Sequence, residues 1–104
     1  MSSPVRACAL AEVPEEGAIR VDLGGKPVCI ARSEGEVFAL LDICSHADVA
    51  LSEGDVEDGK IECWLHGSLF DLRTGEPTGL PATRPVPTFP VTVEGDDVLV
   101  QMES

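Results

Sequence analysis

Two short segments constrain this chain more than any other feature: Cys44-Ser45-His46 and Cys63-Trp64-Leu65-His66. They read C-x-H, then sixteen intervening residues, then C-x-x-H. The chain has two histidines in all, and both lie here, with two of its four cysteines. Each segment offers one thiolate and one imidazole, so the pair offers two of each. Such a donor set suits a metal centre, and few other tasks need it.

Ligand type narrows the centre. A [2Fe–2S] cluster is usually held by four thiolates, and in its Rieske form two histidines replace two cysteines on one iron and raise the potential. Each segment must then supply a cysteine to one iron and a histidine to the other, which this pattern does twice. Two cysteines and two histidines also make a structural zinc site. Zinc templates, however, usually open with C-x2-C or C-x4-C and pair their histidines separately. Colour separates the two readings, because iron–sulfur proteins are brown and zinc sites are colourless.

At these residues, and at Gly67-Ser68-Leu69-Phe70-Asp71, Thr74-Gly75 and the proline-rich run Pro81 to Pro90, the chain resembles the Rieske ferredoxins that serve bacterial ring-hydroxylating oxygenases. The resemblance spans nearly the whole chain. It implies that Cys44 and Cys63 bind the inner iron of one [2Fe–2S] cluster, and His46 and His66 the outer iron. It also implies a single Rieske domain: a base formed by residues 1–42 and 79–104, and a cluster-binding subdomain over about 43–78. The proline-rich run is then expected to form a third loop covering the cluster. Gly67, Ser68, Phe70 and Trp64 are the candidates for contacts around the cluster, with Gly67 placed to let its backbone come close. Higher-potential relatives carry an extra cysteine in each ligand loop, where this chain has Ala47-Asp48-Val49 and Leu65, and a tyrosine where it has Phe70. The resemblance thus points to the lower part of the Rieske range, which runs from about −150 to +300 mV.

The implied function is one-electron transfer from a flavin-dependent reductase to a terminal oxygenase. A small Rieske-like subunit of a nitrite reductase and a zinc-stabilised interaction module are the alternatives. A catalytic oxygenase subunit is excluded: its mononuclear iron needs two further histidines and a carboxylate, and no further histidine exists.

The formal charge is −12 over 104 residues. That argues against nucleic acid, whose phosphates would repel the chain; the charge serves either solubility alone or steering towards basic docking patches on redox partners. No apolar run reaches the length of a membrane span, and Ala7 to Ala11 is too short for a signal core. A cytoplasmic monomer is expected, with Cys8 and Cys29 as buried free thiols in strands.

The hydropathy pattern is that of strands. Val5 to Leu10 is short and apolar, and Ala11 to Gly17 reads as a loop or single helical turn. Ala18 to Leu23 alternates with period two. Gly24-Gly25 then turns the chain into Lys26 to Arg32, with Val28 and Ile30 on one face. Val37 to Ile43 delivers the chain to Cys44, and Ala47 to Gly59 reads as a connection whose tip, near Asp58-Gly59, is expected to be mobile. Ile61 leads into Cys63, and Leu69 to Leu72 leads away. Five prolines from Pro77 to Pro90 forbid a helix or central strand there. Val91 to Val93 and Val98 to Val100 close the chain as a hairpin across Glu94-Gly95-Asp96-Asp97. Eight or nine short strands imply an all-β sandwich or small barrel.

Overall fold

The computed structural model describes residues 4–43, 49–64, 67–78 and 84–101. Among them the chain is built from β1 (Val5–Ala9), β2 (Gly17–Leu23), β3 (Lys26–Ser33), β4 (Glu36–Leu41), β5 (Val56–Glu57), β6 (Lys60–Glu62), β7 (Leu69–Asp71), β8 (Thr88–Phe89), β9 (Val91–Glu94) and β10 (Asp97–Val100). Single 3-10 turns occur at Leu10–Glu12 and Leu51–Glu53. The strands pair antiparallel in three sheets, ordered β1-β10-β9, β2-β3-β4-β8 and β5-β6-β7. The all-β expectation holds.

Turn chemistry explains the registers. Gly24-Gly25, Glu34-Gly35 and Asp58-Gly59 each join two strands as the two central residues of a turn, all with positive φ. That is the type I′ geometry whose twist matches paired strands. Gly95-Asp96 joins β9 to β10 with positive φ at the glycine alone, as a type II′ turn needs.

The middle sheet carries two cores, one on each face. Val28 and Ile30 of β3 and Ala39 of β4 pack against Cys8, Val98 and Val100 of the β1-β10-β9 sheet. Cys29 and Ala31 of β3 and Leu40 of β4 pack the other way, against Leu51, Val56, Ile61, Cys63, Phe70 and Leu72. The face of β3 bearing Val28 and Ile30 was legible by period two. The opposite face is equally buried, because a third sheet covers it.

That third sheet is the main departure from the sequence reading. Val56–Glu57 is a strand, and Asp58-Gly59 is the turn of a hairpin rather than a loose tip. The turn is tied down at Gly59: its amide donates to the Ser33 hydroxyl at 2.8 Å, and its carbonyl accepts the Leu72 amide at 2.9 Å. Cys8 and Cys29 are buried free thiols in strands, as expected. They belong to different cores. Burial pushes the Cys29 thiol far up, and the Asp42 carboxylate adds to the shift.

Candidate metal centre

Of the four expected ligands, Cys44, His46 and His66 lie outside the described residues, and Cys63 lies within them. Cys63 follows directly on β6 and is fully buried as a free thiol among Leu51, Ile61, Phe70 and Leu72. Its amide donates to the Ser68 carbonyl at 2.7 Å, and its carbonyl accepts the Gly67 amide at 2.8 Å. These two bonds close the 63–68 loop on itself. A sulfur donor in an apolar pocket, on a loop fixed by its own backbone, is the setting an iron–sulfur cluster needs.

The neighbouring candidates take distinct places. Gly67 has φ 75°, and a Cβ there would meet nothing nearer than 3.7 Å. The left-handed backbone, rather than crowding, therefore requires the glycine, and its amide is committed to Cys63. Ser68 and Phe70 are fully buried, and Phe70 shares the core of Cys63. Trp64 is not packed away: it is 50% exposed. Ile43, just before Cys44, and Leu69, paired in register with Glu62, are also exposed. Three large apolar side chains thus face solvent close in sequence or register to the ligand positions.

Each loop is anchored behind its ligands. Asp42 is 1% exposed, and its carboxylate accepts the amide and the hydroxyl of Ser52 at 2.6 and 2.7 Å. Sequence reasoning folded Asp42 into an apolar run. Its one available signal was a lone carboxylate among Leu41 and Ile43. The proline-rich segment is stitched in at its described ends: Thr78 donates to the Leu69 carbonyl, Val86 to the Gly75 carbonyl, and Leu41 to the Pro87 carbonyl. Gly75 is needed there, with φ 79° and the Val86 carbonyl oxygen 2.0 Å from where a Cβ would stand. Residues 79–83, the middle of the expected third loop, lie outside the described residues.

The family model for the Rieske [2Fe–2S] domain matches residues 3–90. This chain belongs to the Rieske [2Fe–2S] family. The Rieske chain is 45% identical, over 94% of its length and 92% of the relative's, to the ferredoxin component of biphenyl 2,3-dioxygenase from Rhodococcus jostii. It superposes on the ferredoxin of carbazole 1,9a-dioxygenase from Nocardioides aromaticivorans with a TM-score of 0.87 at 38% identity, covering 95% of this chain and 97% of that one. A ferredoxin solved in complex with the oxygenase of carbazole 1,9a-dioxygenase matches at 33% identity and a TM-score of 0.86, covering 93% and 91% of the two chains. The Rieske chain is accordingly an electron-carrying ferredoxin that holds a [2Fe–2S] cluster, and not a catalytic subunit. Among the described residues no helix is long and apolar enough to cross a membrane.

Proposed function

We propose that this ferredoxin accepts single electrons from a flavin-dependent reductase and delivers them to a terminal ring-hydroxylating oxygenase. Cys44 and Cys63 would hold the inner iron, and His46 and His66 the outer one. When bound, the cluster takes up and gives back one electron. Residues 43 to about 78 would form the cluster-binding subdomain on a base built from the two flanking segments, and the proline-rich run would complete its cover. One observation carries the reading: buried Cys63 is followed at once by half-exposed Trp64. A ligand one residue from an exposed aromatic surface gives an electron a short way out towards a docked partner. The charge of −12 supports basic docking patches on those partners, and the chain would act as a cytoplasmic monomer in passing encounters. The test is stopped-flow transfer with a purified reductase and oxygenase of such a system. Reduction of a brown protein by the first and reoxidation by the second is expected. A colourless zinc protein, or a stable complex with a siroheme subunit, would overturn the proposal.

A further inference from the structure

Three strained turns meet at one carboxylate and the hydroxyl bonded to it. Among the described residues, Glu16, Glu34 and Asp58 are the non-glycine positions with left-handed backbone, at φ 51°, 53° and 53°. Such conformations are costly outside glycine and persist where the surroundings impose them. Here one node connects all three. Glu16 Oε1 accepts the Glu34 amide at 2.7 Å. The Ser33 hydroxyl donates to the same carboxylate, 3.2 and 3.0 Å from its two oxygens. The Ser33 oxygen, 1% exposed as a residue, in turn accepts the Gly59 amide at 2.8 Å.

The node joins two sheets. Ser33 and Glu34 open the turn into β4, and β4 leads to Cys44. Asp58 and Gly59 make the turn into β6, and β6 leads to Cys63. The sheets also meet through the core of Ala31, Leu40, Val56 and Ile61. That core packs the two sheets face to face. Hydrogen bonds are directional, and this node supplies them at the seam. A second polar link, from Arg73 to Glu36 at 3.0 Å, is solvent-exposed at both ends; Glu16 is exposed too, but the Ser33 hydroxyl it holds belongs to a residue only 1% exposed.

We infer that Glu16 is a positioning residue for the iron–sulfur centre: by tying the β3–β4 turn to the β5–β6 turn, it sets how the loop carrying Cys63 faces the loop carrying Cys44. The inference rests on the ligand assignment proposed above.

The test uses the cluster-loaded protein with Glu16→Ala, Ser33→Ala and, as a charge-matched control, Glu15→Ala. Hydrogen exchange reads the node, the EPR spectrum of the reduced cluster reads its geometry, and bleaching by an iron chelator reads its retention. In Glu16→Ala the Glu34 amide should exchange roughly tenfold faster, as expected for a lost charge-assisted hydrogen bond. The EPR features should shift or broaden, and bleaching should quicken severalfold. Ser33→Ala should release Gly59 and show the same spectral change, while Glu15→Ala should match the parent. Released amides with an unchanged EPR spectrum and bleaching rate would overturn the inference, as would an unmoved Gly59 amide in Ser33→Ala. If Glu16→Ala does not fold, Ser33→Ala decides by the same criteria. A parent protein without any cluster would instead overturn the ligand assignment.

Discussion

The carboxylate of Asp42 receives both the amide and the hydroxyl of Ser52, ten residues further on. The segment that contains Cys44 and His46 is therefore closed at its base by a buried side-chain clasp. Ser52→Ala removes the hydroxyl and leaves a buried carboxylate oxygen short of a donor. A loss of about 1–3 kcal/mol is expected, read as a lower urea midpoint with an unchanged slope.

Replacing His46 or His66 by Ala should abolish the Rieske spectrum, because no spare histidine exists. Asp58→Asn should leave the cluster intact. It leaves the Gly59 amide on the Ser33 hydroxyl, and asparagine tolerates the left-handed conformation found at position 58. Iron content and the visible spectrum of the purified variants check both outcomes. Normal iron and spectrum in His66→Ala would sink the ligand assignment.

Salt should slow reduction by the partner reductase. Screening shortens to about 8 Å at physiological ionic strength, so an encounter steered by a charge of −12 weakens as salt rises. Rate constants measured from low to high salt would show it, and a flat profile would reduce the charge to a solubility device.

Phe70→Tyr should raise the reduction potential. Phe70 is fully buried in the core that holds Cys63, and the change keeps the ring while adding one donor. A hydroxyl that bonds a ligand sulfur favours the reduced, more negative state. If a net hydrogen bond of about 0.5–1.5 kcal/mol were wholly differential, the rise would be roughly 20–65 mV. Protein-film voltammetry, with spectra confirming intact clusters, measures it. A potential that stays or falls would remove the account of why a phenylalanine here keeps the potential low.

Acid should loosen the Glu16 node. The Glu34 amide, then the Ser33 hydroxyl, hold the Glu16 carboxyl below its ordinary range. A lowered folded value means the stabilisation is complete above the unfolded value of about 4.3 and is lost as pH falls through the folded one. Glu16→Gln should flatten that part of the stability profile, measured by urea melts between about pH 5 and 2.

Much of this was legible in the sequence, and the gaps have physical causes. Gly24-Gly25 and Gly95 announced their hairpins because few other residues adopt those conformations. The Cys63 loop was legible because its donors are scarce in the chain. Val56–Glu57 was not, since a two-residue strand shows no alternation. The second buried face of β3 was only half legible: Cys29 was expected to be buried, but the small Ala31 beside it did not mark a face. Asp42 was missed because a carboxylate is read as solvent-facing, and exposed Glu16 because its partners, seventeen and eighteen residues away, are out of view in the sequence.

Val5 and Val100 are register partners on adjacent strands, β1 and β10. The chain thus enters and leaves its fold at one place, on the sheet remote from Cys63. Such a unit can be spliced into a surface loop of a larger protein, or its ends joined and new ones cut at Gly24-Gly25, without pulling the metal-holding loops apart. Portability of this kind suits an electron carrier to life either alone or as one segment of a longer redox chain.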